Sequence, residues 1–333
     1  MIGKPIFSKY VWDRFLAHSS PQSFFCSWQW GEAEKRMGHT IYRFGWYTKG
    51  ELTAIAQVCI LRAKRGSILS LRHGPVVRGN DAALYRMVLT DMKELARAQS
   101  CDCIRMSPLM KGAEFCEFAF KNGAFEYPIH GMDAQRCIVL PLSQPEDQLL
   151  SGMRKSTRYD LKKAKKMGVT VSREQDDVAL KTFLTLYEQT ALRHNFVPHS
   201  GIEAEFSVFR QEKSAEIFLA KYEESVIAGA LIVYEGKQGI YRHGASIPGP
   251  IPAAALLQWE AILRTKERGL PEYNFWGVSP ENNNTHPWHG LSQFKRGFGG
   301  VEVVYGGTYD FPVTPRYSMI HILDWYKKVS KKY

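Results

Sequence analysis

Along the first half of the chain, apolar residues follow the spacing of a strand in some segments and that of a helix in others. Residues 51–61 (ELTAIAQVCIL) are dense in apolar and β-branched side chains, which is typical of a buried strand. The pattern then predicts a strand over 67–77, a helix over 82–98, a strand over 101–108, a short helix over 112–125 and a strand over 137–142. The predicted order is therefore strand, strand, helix, strand, helix, strand.

The same kinds of element follow again in the second half of the chain. The predicted elements there are helix 146–168, strand 169–172, helix 178–194, strands 216–221, 225–234 and 238–244, helix 252–268, strand 273–278 and a tail helix 315–331. A length of 333 residues is about twice that of a typical domain. We therefore expect an α+β protein with a first domain over 1–145, completed by 312–333, and a second domain over 146–311.

Composition narrows the class of protein. The chain is 44% hydrophobic and 23% charged, which fits a globular domain and argues against disorder. It has no apolar run of the roughly 20 residues that span a bilayer, and its first residues lack the apolar core of a signal peptide. We expect a cytoplasmic protein, with a peripheral position at the inner membrane face as an open alternative. The six cysteines are expected to be buried thiols, because no second pair accompanies Cys101 and Cys103 to complete a zinc site.

Positive charge is concentrated in residues 153–171 (MRKSTRYDLKKAKKMGVTV). This segment holds seven Lys or Arg residues and one Asp, within a chain of net charge +11. A solvated helix usually intersperses acids with its cations, whereas here only Asp160 does so. With Tyr159, Leu161 and Ala164 expected to line the buried face, the cations around the other faces favour a polyanionic partner. A solvated helix face is the alternative.

The segment RKSTRYDLKKAKKMGVTV also resembles the signature of the Fem-type aminoacyltransferases (the FemABX family). Further segments resemble other blocks of that family in the same order along the chain: SFFCSWQWGEAEKR, LRHGPVV, IRMSP, PAAALLQWEAILRTKERGLPEYNFWGV and HPWHGLSQFKRGFGGVEVVYGGTYD. The resemblance implies two acetyltransferase-like (GNAT-like) domains. It also implies transfer of an amino acid from aminoacyl-tRNA to the stem peptide of a peptidoglycan precursor. The long helical arm of some members has no counterpart in 172–215, so the chain resembles the short, armless members.

The family pattern implies roles for particular residues. Lys295, with Phe294 beside it, falls where the closing block supplies the catalytic residues, and Lys295 is expected to stabilise an oxyanion and the tRNA end. The residues expected to bind the UDP-MurNAc-pentapeptide or lipid-linked muropeptide are Lys35, Arg193, His199, Tyr241 and Trp276, the last as a strand core residue bordering the site. His199 stands where family members often carry Arg. The residues expected to bind tRNA are Arg154, Lys155, Arg158, Lys162 and Lys163.

Other functions stay open on the sequence alone. The chain has no G-x-S-x-G, H-E-x-x-H or Walker A motif, so the common hydrolase, zinc-protease and P-loop sites lack support. We expect no metal or small-molecule cofactor, because an aminoacyl ester is already activated, and we expect a monomer. The main alternative is an acyl-CoA-dependent N-acyltransferase on the same fold. A non-enzymatic nucleic-acid binder would explain the charge but not the Lys35 and Lys295 blocks.

Overall fold

The computed structural model describes residues 3–63, 66–110, 113–126 and 135–331. The chain divides into two compact units, which we call unit 1 (Met1–Gln135 with Val304–Tyr333) and unit 2 (Arg136–Val303). Each unit is built around one mixed sheet with helices against it. The prediction of an α+β protein with two successive sheets is confirmed.

The elements up to Gln135 belong to unit 1. They are β1 (Lys4–Pro5), α1 (Lys9–Ala17), α2 (Trp28–Arg36), β2 (Thr40–Thr48), β3 (Glu51–Ala63), β4 (Gly66–Leu71), β5 (Val76–Val77), α3 (Ala82–Ala98), β6 (Cys103–Met106), α4 (Glu114–Lys121) and β7 (Phe125–Glu126). Short 3₁₀ turns lie at Phe24–Cys26 and Arg78–Asn80.

The remaining elements follow in unit 2 and then return to unit 1. Those of unit 2 are β8 (Arg136–Pro141), α5 (Glu146–Ser151), α6 (Lys155–Lys166), β9 (Thr170–Glu174), α7 (Asp177–His194), α8 (Ile202–Gln211), β10 (Ala215–Tyr222), β11 (Ser225–Glu235), β12 (Gln238–Ser246), α9 (Ala253–Glu267), β13 (Glu272–Gly277), α10 (His289–Arg296) and β14 (Val301–Val304). The chain continues with β15 (Tyr309–Pro312) and α11 (Arg316–Lys331).

The two sheets share one arrangement. In unit 1 the strand order is β1-β2-β3-β4-β6-β15-β7, and in unit 2 it is β14-β8-β13-β12-β11-β10-β9. Each sheet contains an antiparallel meander, β2-β3-β4 or β10-β11-β12, whose last strand pairs in parallel with a strand that follows a long helix. That helix is α3 in unit 1 and α9 in unit 2. The pairs β4–β6 and β12–β13 are parallel.

The borders between the units differ from the predicted ones. The strand placed at the end of the first domain, β8, pairs antiparallel with β13 and therefore belongs to the second sheet. Strand β15, placed in the second domain, pairs with β6 and β7 of the first sheet. The borders at 145 and 312 thus move to 135 and 303, because strand pairing and not chain order decides which sheet a strand completes.

Local differences from the prediction also have physical causes. The predicted helix 146–168 is two helices, α5 and α6, separated at Gly152–Arg154. Helix α8 lies in a stretch for which no element was predicted. On α6, Leu161 and Ala164 are buried as expected, but Tyr159 is 64% exposed and Thr157 occupies the buried face in its place.

Candidate active site

Lys295 lies in the last turn of α10 and is only 5% exposed. Its Nζ donates a hydrogen bond to the carbonyl oxygen of Gly277 at 2.6 Å and lies 5.7 Å from the centre of the Tyr241 ring. Burial lowers the pKa of this lysine to about 8, because an ammonium is poorly solvated in a low-dielectric interior. Among the described residues, no carboxylate forms an ion pair with Lys295. Its charge is therefore available to another anion.

The segment that follows Lys295 is held close to its neighbours by glycines. A Cβ at Gly297 would lie 2.4 Å from the Thr157 hydroxyl oxygen, and one at Gly300 would lie 2.7 Å from the Val139 carbonyl oxygen. Gly300 also has a φ of +92°, which other residues rarely adopt. The glycine run that links α10 to β14 therefore allows close packing against α6 and β8. Phe294 is half-buried, and its ring lies edge-on at 5.3 Å from the buried Phe298 ring, which anchors α10 in the core of unit 2.

A β-bulge shapes the strand that meets Lys295. The pairing of β13 with β8 shifts register between Asn274 and Gly277. Within the bulge Trp276 has a φ of +64°, and its N–H donates to the Asn274 side-chain oxygen at 2.8 Å. Trp276 is half-buried, whereas Phe275 is fully buried, so Trp276 lies at the edge of the buried part of β13. A bulky residue at positive φ costs on the order of 1–3 kcal/mol and is often found at functional sites.

Tyr241 is the second predicted residue that lies beside Lys295. It is on β12, and its hydroxyl is so close to Gly244 that a Cβ there would lie 1.7 Å from the oxygen. Burial raises the pKa of the phenol to about 12, so the hydroxyl stays protonated at neutral pH. The structure thus places Tyr241 and Lys295 near each other, with Trp276 adjacent in sequence to the Gly277 carbonyl that Lys295 contacts.

A buried polar cluster that the sequence did not reveal lies on the same strand. The Arg242 Nε donates to both carboxylate oxygens of Glu205, at 3.0 and 3.2 Å. Burial alone would raise the pKa of Glu205, but Arg242 and the neighbouring histidines His243 and His199 together outweigh it and lower that pKa to about 2. The His243 ring is 5.3 Å from the His199 ring, and burial lowers the His243 pKa. The predicted residue His199 is therefore an exposed residue on the outside of a buried ionic cluster.

A second bulge explains why this cluster escaped prediction. Opposite β11, Leu231 pairs with His243 and the next residue, Ile232, pairs with Tyr241. Arg242 is the inserted residue, and simple alternation along a strand would not bury both Arg242 and His243.

Arg193, at the end of α7, is exposed and donates to the Ser246 carbonyl oxygen at 2.8 Å. It ties α7 to the end of β12.

Lys35 lies in unit 1, in the last turn of α2, with its side chain 45% exposed. Its Nζ is 2.9 Å from Glu32 Oε1, which also accepts from Arg43 at 2.9 Å. Arg43 is buried, and its guanidinium lies 3.7 Å from the centre of the Trp28 ring. A Cβ at Gly31 would lie 2.2 Å from Arg43 Nη2, so the arginine can reach Glu32 only past a glycine. The buried Arg43 therefore holds in place the Glu32 carboxylate that contacts Lys35.

The five predicted tRNA-binding residues fall into two groups. Arg154 donates to the Gln293 side chain at 2.8 Å, and Arg158 donates to the Ser151 carbonyl oxygen at 3.0 Å. These two arginines therefore fasten α6 to α10 and α5. The side chains of three lysines form no hydrogen bond or ion pair with the residues that the structure describes, namely Lys155, Lys162 and Lys163. The exposed Tyr159 adds an aromatic ring to this lysine-bearing surface.

One group of described side chains could hold a metal ion. Ligand atoms of Glu34, His39 and Cys59 lie within 4.8 Å of one another in unit 1. Glu34 Oε2 already contacts the His39 Nδ1 at 2.5 Å and the Cys59 thiol at 3.6 Å. Burial raises the pKa of Cys59 far above its usual range, which keeps the thiol protonated. None of the six cysteines forms a disulfide in the described part of the chain, and all are buried except the half-buried Cys116.

Comparisons with known proteins identify one family. The model of the FemAB family matches residues 7–120, 117–202 and 200–325. A lipid II:glycine glycyltransferase of Staphylococcus aureus is 25% identical over 206 residues, which are 58% of this chain and 49% of that protein. The chain thus spans about half the length of the curated relatives it matches.

Solved structures show the same fold. The crystal structure of FemX aligns with a TM-score of 0.83 at 20% identity, covering 96% of this chain and all of that one. A tandem GNAT protein from the clavulanic acid pathway aligns with a TM-score of 0.58 at 11% identity, covering 94% and 98%. The predicted pair of GNAT-like α+β domains is confirmed. None of the helices in the described part of the chain is long and apolar enough to cross a membrane.

Proposed function

The chain belongs to the FemAB family, and from this membership we propose that it is an aminoacyltransferase of interpeptide bridge synthesis. It transfers an amino acid from aminoacyl-tRNA to the stem-peptide amine of a peptidoglycan precursor, either UDP-MurNAc-pentapeptide or a lipid-linked muropeptide. The glycyltransferase name of its relatives supports the class of reaction and the peptidoglycan acceptor. The aminoacyl-tRNA donor is part of the proposal, and so are cytoplasmic localisation and action as a monomer.

The proposed reaction forms an amide without a cofactor. The neutral stem-peptide amine attacks the ester carbonyl carbon, a C–N bond forms and the carbonyl oxygen becomes an oxyanion. When the oxyanion collapses, the C–O bond breaks and the tRNA 3′ oxygen leaves with the bonding electrons. That oxygen takes up the proton which the attacking nitrogen loses, so the products are an amide and a free 3′ hydroxyl. The protein orients the reactants and stabilises the oxyanion.

The buried ammonium of Lys295 is the observation that carries this proposal. An oxyanion develops during the reaction, and a cation already desolvated and held by the Gly277 carbonyl interacts with it strongly. The Tyr241 hydroxyl, protonated at neutral pH, is a second donor on the same side of unit 2. Phe294 supports the helix that holds Lys295. The residues proposed to bind the precursor are Lys35, Arg193, His199, Tyr241 and Trp276. Those proposed to bind tRNA are Arg154, Lys155, Arg158, Lys162 and Lys163.

An acyl-CoA-dependent N-acyltransferase is the second candidate, since GNAT-like proteins share the fold. Such an enzyme presents free N–H groups at the start of a helix to the pyrophosphate. At the start of α9, the Ala253 and Ala255 N–H groups donate to the Ile251 and Pro252 carbonyl oxygens, at 2.9 and 3.1 Å. At the start of α3, the Asp81 carboxylate accepts from the Ala83 N–H at 2.7 Å and adds negative charge. Neither helix start favours a pyrophosphate.

One assay separates the candidate functions. The protein is incubated with a UDP-linked muropeptide and either a charged tRNA or acetyl-CoA, and the products are identified by mass. We expect the muropeptide to gain an amino acid only with charged tRNA. An acetylated product would establish the acyl-CoA reaction, and tRNA binding without any product would favour a nucleic-acid-binding role. Parallel arms with glycyl-, alanyl- and seryl-tRNA identify the amino acid, and a lipid-linked muropeptide identifies the preferred acceptor.

A further inference from the structure

Helix α11 is fixed to unit 1 by one face. The Tyr317 hydroxyl donates to Asp310 Oδ2 at 2.8 Å, and the Tyr317 side chain is 2% exposed. One turn later, the His321 ring lies 4.8 Å from the Phe125 ring. A Cβ at Gly66 would lie 2.6 Å from Ile320 Cδ1, so this side chain also lies against the first sheet. The orientation of the helix on unit 1 is therefore set by residues spaced three and four apart.

The opposite face of α11 is apolar and exposed. The exposed large side chains of this face are Met319 (62%), Ile322 (62%), Leu323 (54%) and Tyr326 (66%), and Trp325 (55%) is exposed on the flank of the helix. Positions 319, 322, 323 and 326 follow the spacing of a single helical stripe. A helix packed on a domain normally turns its polar side outward, and this one turns an apolar stripe outward. Contiguous apolar surface of this kind marks an interaction site.

The charge of the same segment indicates what covers the stripe. Residues 316–332 hold five Lys or Arg residues and one Asp, with four of the lysines within 327–332. A second copy of the chain would bring this positive charge against itself, which disfavours a homodimer through this face. An anionic lipid surface complements the charge and takes up the apolar stripe as well. Trp and Tyr side chains are favoured at the boundary between headgroups and acyl chains.

We propose that α11 is an interfacial helix that binds unit 1 to the surface of an anionic phospholipid bilayer. The stripe enters the boundary between headgroups and acyl chains, and the positive charge of residues 316–332 favours anionic lipids over neutral ones. At 16 residues the helix is about 24 Å long, which suits a helix lying in the plane of the interface. This inference concerns the surface of unit 1 and does not rest on the proposed reaction.

Flotation with vesicles tests the apolar part of the proposal. The full chain is mixed with vesicles of phosphatidylethanolamine and phosphatidylglycerol, or of phosphatidylcholine alone, at low and high salt. We expect flotation with the anionic vesicles only, and at least a tenfold loss in the double variant Ile322→Ser/Leu323→Ser. The matched control is Val178→Ser/Leu192→Ser, which changes two exposed apolar residues of α7 in unit 2 and should float like the parent.

A second set of variants tests whether binding depends on the charge of α11 or on the positive charge of the chain as a whole. Lys327→Gln/Lys328→Gln should weaken binding by about thirtyfold, because each lysine near an anionic surface contributes on the order of 1 kcal/mol. Lys165→Gln/Lys166→Gln on α6 removes the same charge and should leave binding unchanged. Unchanged melting temperatures check that the variants fold. Absence of flotation, or equal losses in test and control variants, would overturn the proposal. Concentration-dependent dimers that the Ile322/Leu323 variant abolishes would assign the stripe to a second copy.

Discussion

Lys35 of unit 1 is predicted to bind the precursor and Lys295 of unit 2 to act in catalysis, and the two lysines lie in opposite environments. Lys35 of unit 1 is 45% exposed and rests against the Glu32 carboxylate. Lys295 of unit 2 is 5% exposed and contacts a carbonyl oxygen and an aromatic ring. Other buried cations are paired, as Arg43 is with Glu32 in unit 1 and Arg242 with Glu205 in unit 2. Lys295 therefore differs from these buried arginines in having no carboxylate partner among the described residues.

The difference assigns different tasks to the two lysines. A desolvated ammonium held in one place strengthens its interaction as negative charge develops, which accelerates the chemical step. An exposed lysine that already shares a carboxylate gains little from a transient charge. It suits a phosphate that is present before and after the reaction, which is uniform binding.

The largest expected effect belongs to Lys295→Ala. Loss of one oxyanion-stabilising donor typically lowers the rate by about 10²–10³, or about 3–4 kcal/mol. We expect kcat for aminoacyl-tRNA-dependent transfer to fall by this amount with little change in the KM for the muropeptide. Lys295→Arg should restore little, because a planar guanidinium places its charge differently and is larger than the buried site. Full activity of Lys295→Ala would contradict the proposed mechanism.

We expect the buried charge of Lys295 to lower the free energy of unfolding at neutral pH. Its pKa is lowered from 10.5 to about 8, so the unfolded state binds this proton more tightly than the folded state. The penalty is about 3 kcal/mol below pH 8, decreases as pH rises from 8 to 10.5, and is absent above that range. Lys295→Met removes the charge but also the bond to Gly277, which contributes about 1 kcal/mol.

We therefore expect Lys295→Met to be inactive and about 1–3 kcal/mol more stable at pH 7 than the parent. Denaturant unfolding at pH 7 and pH 10 measures this difference, which should shrink at the higher pH. A Lys295→Met protein that is destabilised equally at both pH values would show that Lys295 is neutral or paired in the folded chain.

Lys35→Ala is expected to have a smaller effect of the opposite kind. Loss of a precursor phosphate contact should raise the KM for the muropeptide by about tenfold and leave kcat nearly unchanged. Glu32→Gln serves as the comparison, because it keeps Lys35 and removes the carboxylate that competes for its charge. If Lys35→Ala and Lys295→Ala gave the same kinetic profile, the division of tasks between the two lysines would be wrong, although a catalytic role for Lys295 would remain.

The sequence predicted most elements between residues 51 and 278, because they follow from apolar spacing, but α1, α2, β2, α8 and α10 were not predicted. It predicted strand 137–142 correctly but assigned it to the wrong unit, since partner choice depends on contacts between β8 and β13 that are distant in sequence. It also predicted one continuous helix where Gly152 separates α5 from α6. Helical spacing alone does not show such a break when both halves are amphipathic.

For the candidate site, the sequence supplied residue identities through family resemblance but not their environments. The burial of Lys295 depends on the bulge before Gly277 and on the glycines that bring α10 against its neighbours. The Glu205–Arg242 pair depends on a second bulge in β12. An inserted strand residue leaves little trace in a pattern of polar and apolar positions, and both bulges therefore escaped prediction.

The smallest expected effect concerns α6 and separates its lysines from its arginines. If Lys155, Lys162 and Lys163 contact tRNA phosphates, neutralising all three to Gln should reduce the slope of log K against log salt by about 0.7–0.9 per lost contact. The matched control, Lys237→Gln, removes an exposed charge from the turn between β11 and β12 and should leave the slope unchanged. Arg154 and Arg158 also hold α6 to α10 and α5, so their substitution should lower the melting temperature as well as the affinity. Binding isotherms with one aminoacyl-tRNA between 50 and 300 mM salt supply the slopes. An unchanged slope in the triple lysine variant would make α6 a solvated helix face and would move the tRNA contact to another part of the chain.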